Sequence, residues 1–222
     1  VLWSAVFEFI LAFVGAFFLY RGIDSRLLMA IGFSAIAFAC VINADFTSAW
    51  AAESYFRTEL LMAVGQSFAM LGLVSSIILQ GVSGGAFDAP QRALTFSAFF
   101  HVIRLFGGQT GAVLMGRYIA EQEKVHSFLL GLHVQSGQWI TDGALRHLAV
   151  GLAAKSSGPM AATGRALDII TARLRLQAYS LTFLDAFHLV AWACAAMLLV
   201  TTLLRKAPIN FRQLGSLQET KE

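Results

Sequence analysis

The sequence predicts an all-α fold, a polytopic bundle of five transmembrane helices, on three observations. The 222 residues are 57% hydrophobic and 13% charged, with a mean hydropathy of +0.68, whereas a soluble domain carries roughly 25% charged residues. Apolar runs long enough to cross a hydrocarbon core alternate with short polar or glycine-rich turns. One run holds an arginine at mid-depth, which a helix tolerates only inside a multi-helix assembly.

The first span is read over Leu2 to about Leu19, rich in phenylalanine and interrupted only by Glu8. It opens without a basic segment or a small-residue cleavage pattern, so no signal peptide is expected; starting inside a span points to a fragment. Tyr20 to Arg26 is a tight polar turn broken at Gly22. Leu27 to Ala44 is the second span, crowded with small residues around Gly32 that suit close helix contact. The acidic connection from Phe46 to Glu59 carries Trp50 and Tyr55 at headgroup level. Leu60 to Gln80 is the third span, with Gly65, Gly72 and Ser75 among its helix-contact candidates, and Gly81 to Pro90 forces a turn.

The fourth span, Ala93 to about Ile119, puts Arg104 about 18 Å along the axis from Arg92. At that depth a charge costs at least roughly 2.5 kcal/mol. At about 100° per residue, Ser97, His101, Arg104, Gly108 and Gly111 share one narrow arc, while Phe99, Val102, Phe106 and Val113 gather opposite. Gly107, Gly108 and Gly111 are expected to admit a neighbouring helix, so the polar atoms beside them meet protein rather than lipid. Gln109 falls off that arc.

Glu121 to Ala178 is a hydrophilic insert too long for a bare loop. A short helix is expected over Leu145 to Ala154. From about Gly164 the spacing of Leu167, Ile170, Leu174, Ala178 and Leu181 predicts an amphipathic helix feeding the last span, Ser180 to Leu204. The chain is thus divided into four spans over 1–120, an extracytoplasmic insert with short amphipathic helices over 121–179, the last span over 180–205 and a cytoplasmic tail over 206–222. Arg21, Arg26, Arg205, Lys206 and Arg212 set the C-terminus on the cytoplasmic side.

Arg104 and His101, one turn apart, either line a substrate or proton path or brace helix packing. Glu8 is either the counter-ion of Arg104, a proton carrier, or a surface residue. Asp185 and His188, one turn apart at the start of the last span, either relay protons or form a solvated helix entrance. His126, His133 and His147 are scattered through the insert without zinc-ligand spacing. Cys40 and Cys194 lie in apolar runs, and no disulfide is expected. The net charge of +3 has no basic cluster, which argues against a nucleic-acid partner. No phosphate-binding loop, esterase serine motif or metalloprotease motif is present, and no cofactor, metal or enzymatic activity is expected.

Three stretches carry a family resemblance. Gln91-Arg92-Ala93 through Arg104-Leu105-Phe106-Gly107-Gly108-Gln109-Thr110-Gly111 has an R-x-x-G-G-x-x-G character. Gly22-Ile23-Asp24-Ser25-Arg26 is similar to a degenerate G-x-x-x-D-R loop, with Gly22, Asp24 and Arg26 in the motif positions. A long insert precedes the last helix and a short basic end with Pro208. In this order the chain resembles part of the C-terminal half of the fourteen-helix drug:proton antiporters of the EmrB/QacA type in the major facilitator superfamily. The resemblance implies part of a proton-coupled exporter of small amphipathic compounds in a bacterial inner membrane, with a periplasmic adaptor protein as a partner of the insert. The alternative is a transport-incompetent fragment or helix-interaction module.

Overall fold

The computed structural model describes residues 2–45, 52–133, 139–153, 158–204 and Phe211, and over these the chain is all-helical. Six α-helices run in order: α1 (Leu2–Tyr20), α2 (Ser25–Asn43), α3 (Phe56–Ser83), α4 (Pro90–His133), α5 (Trp139–Ala153) and α6 (Pro159–Leu203), with a 3-10 turn at Ala52–Tyr55. The described residues divide into two compact units, one within Val1–Asp45, Trp50–Ala112 and Phe187–Glu222, the other within Val113–Ala186. The expected cytoplasmic tail over 206–222 lies outside the described residues except for Phe211.

The expectation of five spans is corrected. Among the described residues three helices are long and apolar enough to cross a membrane: Ser25–Asn43, Phe56–Ser83 and Pro159–Leu203. In α1 the apolar stretch is Ala5–Tyr20, roughly 24 Å at 1.5 Å per residue against a core of about 30 Å. In α4, His101, Arg104 and Gln109 dilute the apolar run that the sequence pattern brackets from Ala93 to Ile119.

In the first unit, α1 and α2 both pack on α3. Leu19, Leu28 and Phe68 form the buried cluster, with Leu11, Phe18, Ile23, Val64 and Leu71 against it. Glycine sets the α2–α3 distance. A Cβ at Gly32 would collide with the Ala69 backbone, one at Gly72 would lie 2.7 Å from Met29 N, and one at Gly65 would lie 2.9 Å from Gly32 O. These are the small residues whose spacing predicts close contact, and dispersion between backbones at this range replaces the hydrophobic drive that lipid does not supply. Outward, Phe9, Phe13 and Phe17 of α1 are exposed, an apolar surface of the kind that marks lipid or partner contact.

Two glycine caps end helices in this unit. After α1, Gly22 adopts φ +91°; its N–H donates to Leu19 O at 3.0 Å and that of Ile23 to Phe18 O at 3.1 Å. After α3, Gly85 has φ +73°, and Gly85 N and Ala86 N donate to Val82 O and Gly81 O at 3.1 and 2.9 Å. Both are left-handed caps that satisfy otherwise orphaned carbonyls. Pro90 then opens α4, where its missing N–H costs nothing.

In the second unit, α4 continues through the expected insert to His133 and α6 starts at Pro159, so much of the insert is the extension of two long helices, with α5 between them in sequence. Leu145 to Ala154, expected as a short helix, falls within α5 apart from Ala154, which lies outside the described residues. On α6 the buried ridge repeats every four residues: Ala162, Ala166, then half-buried Ile170 and Leu174, then Ala178, Thr182 and Ala186. Leu167 and Leu181, expected on the apolar face, are exposed instead. Small residues define this face because a four-residue ridge of alanine and threonine lets a neighbour approach.

Candidate functional site

The Gly22-to-Arg26 turn is built as a clasp. Asp24 caps α2, its Oδ1 accepting from Arg26 N at 3.2 Å. The Arg26 side chain reaches the end of α6, where Nε donates to Thr201 O at 3.3 Å and Nη2 to Thr202 O at 3.0 Å. A cation there meets the negative end of the helix dipole and two of the last, unsatisfied carbonyls. Gly22 supplies the positive φ, Asp24 the cap and Arg26 the reach, so each motif residue has a separate physical task. The partners of Arg26 lie 175 and 176 residues away, which local spacing does not reveal.

The Arg104 face of α4 is open. His101, Arg104, Gly107, Gly108 and Gly111 are all exposed, and a Cβ added at any of the three glycines would meet nothing within 4 Å. The expectation that these glycines receive a neighbouring helix is not met by the described residues of this chain. The glycines of α2 and α3 are engaged with each other, and no described helix supplies a complementary surface to α4 at this height. Arg104 has no hydrogen bond or ion pair among the described residues. It contributes to the lining of a groove of about 370 Å³ with Met70, Leu73 and Ile77 of α3 and Phe99, Phe100 and Ile103 of α4.

Glu8 is half-buried on α1, and its backbone carbonyl accepts from Ser67 Oγ at 3.3 Å. It forms no ion pair with Arg104, so the structure does not bring these two candidates together. Cys40 and Cys194 are buried free thiols.

Asp185 meets a partner that the sequence reading does not name. Its Oδ2 lies 2.7 Å from His126 Nε2, a residue of α4 in the same compact unit. His188, the expected relay partner, follows one turn later on α6 and is engaged in an interaction of its own. His126 sits on the inward line of α4 with half-buried Tyr118, Gln122 and Leu130. Four-residue spacing was the available signal for it, but nothing local points from His126 to a residue 59 positions away.

No protein-family model, curated protein or solved structure matches the chain.

Proposed function

We propose that the chain is part of a proton-coupled efflux transporter of the major facilitator type, moving small amphipathic compounds out of a bacterial cell across the inner membrane. The observation that carries this reading is Arg104: a charge near the middle of the run from Ala93 to Ile119, followed by Gly107, Gly108 and Gly111, with that whole strip open. A guanidinium in hydrocarbon requires shielding protein or a polar cavity, and a transporter's second bundle, rocking against this one around a midplane site, supplies both. Arg104 and His101 then line the path, with Glu8, Asp185 and His188 as the other groups able to carry or steer charge.

The Arg26 clasp supports the orientation, because it draws the basic α1–α2 turn and the C-terminal end of α6 to one end, the side that positive residues mark as cytoplasmic. The insert between Glu121 and Ala178 faces outward in this arrangement and is where an adaptor protein docks. The open glycine strip also fits a helix-association module that moves nothing.

The test is uptake of a fluorescent amphipathic cation by inverted vesicles containing the assembled protein under an imposed pH gradient. The expected result is accumulation that collapses with the gradient. No gradient-dependent movement by correctly inserted protein would overturn the transport reading and leave the association module.

A further inference from the structure

We propose that His126 and Asp185 form a proton-binding site that couples protonation to the fit of α4 against α6. This rests on the proton-coupled reading above for its role, though not for its geometry. The two side chains come from different helices, meet at 2.7 Å and differ in exposure, His126 at 19% and Asp185 at 41%. Partial burial of the imidazole limits screening by water, so a change of charge there is felt by the carboxylate.

The site takes one proton from water. With the imidazole neutral and its hydrogen on Nε2, that N–H donates to Asp185 Oδ2 and Nδ1 is the vacant acceptor; the pair carries one net negative charge. Uptake at Nδ1 produces an imidazolium with the Nε2–H···Oδ2 bond kept, and the pair becomes neutral overall. The hydrogen bond is then charge-assisted on both sides. Loss of the same proton to water leaves the weaker bond. Histidine side chains change charge between about pH 5 and 8, so α4 and α6 are held more firmly at the acid end and more loosely at the alkaline end.

Other titratable groups lie on the same elements. On α4, Glu123 lies one turn before His126, with its Oε1 accepting from Ser127 Oγ at 3.2 Å, and Lys124 lies beside it in sequence. On α6, His188 follows Asp185 by one turn. The same compact unit includes α5 with Asp142, Arg146 and His147. Behind Asp185, the buried face of Ala178, Thr182 and Ala186 has no titratable side chain.

The experiment measures the α4–α6 separation by electron–electron distance spectroscopy in nanodiscs, with spin labels on cysteines replacing exposed Phe128 and Phe183, and with Cys40 and Cys194 replaced by alanine. The expected result is a longer-distance population that grows about twofold or more from pH 5.5 to pH 8.5, and no such change in His126→Gln or Asp185→Asn. A pH-independent distribution in the labelled parent, or one whose pH dependence survives His126→Gln, overturns the proposal. Should a single variant fail to fold, His126→Asp with Asp185→His restores the pair with its charges exchanged: recovered pH dependence supports the site and its absence overturns it. Vesicle transport separates this proposal from the broader one. A pH-dependent clasp without transport keeps the site and removes the exporter, whereas transport with a pH-independent clasp does the reverse.

Discussion

Gly32→Leu is expected to force α2 and α3 apart and to destabilise the first unit by about 3 kcal/mol or more, the upper range for overpacking a tight contact. Even the first atom of a side chain at Gly32 meets backbone, the N and Cα of Ala69, which no rotamer change can move. The same substitution at Gly15 is a milder insult, since the nearest atom to a new Cβ there is the flexible end of Leu71 at 2.6 Å. Thermal unfolding in detergent should therefore rank Gly32→Leu well below Gly15→Leu. Equal losses at the two positions would mean that α2 and α3 are not in backbone contact.

Arg104→Leu is expected to behave in the opposite way, leaving the folded chain intact while removing transport. Arg104 makes no hydrogen bond or ion pair among the described residues, so its loss strands no partner within them. On the proposed transport reading, in which a second bundle desolvates and hydrogen-bonds this charge, its loss costs roughly 2–5 kcal/mol, which at tenfold per 1.4 kcal/mol is at least about thirtyfold in the step it serves. Initial rates of gradient-driven uptake, compared with unfolding midpoints of the same preparations, check both halves. A large drop in stability with unchanged uptake per folded molecule would make Arg104 a structural brace.

Much of the helix layout was legible because punctuation in this chain is local. Gly22, the run from Gly81 to Pro90 and the small residues at Gly32, Gly65 and Gly72 act on their immediate neighbours or through one helix face, and spacing reports that. Hydropathy was read too generously in α4, where His101, Arg104 and Gln109 weigh against the surrounding phenylalanines, and in α1, whose apolar stretch is short. The features tied to distant residues were not legible. Arg26 acts on carbonyls at the far end of the sequence, and a backbone carbonyl leaves no trace in composition. Three-residue spacing pairs Asp185 with His188 along one helix, whereas the 2.7 Å contact with His126 joins two helices. Spacing puts the ridge of α6 one position off at Leu167 and Leu181, since alanine gives a weaker hydrophobic signal than leucine even where it is the buried residue.

The central claim is that other protein covers the Arg104 strip of α4 in the membrane. Spin labels placed singly from Ser97 to Val113, in lipid, report collision with oxygen dissolved in the acyl chains and with a water-soluble nickel complex. Labels at His101, Gly108 and Gly111 are expected to be shielded from oxygen while labels at Phe99, Phe106 and Val113 collide freely with it. Oxygen access all round the helix, or nickel access along its whole length, would contradict it.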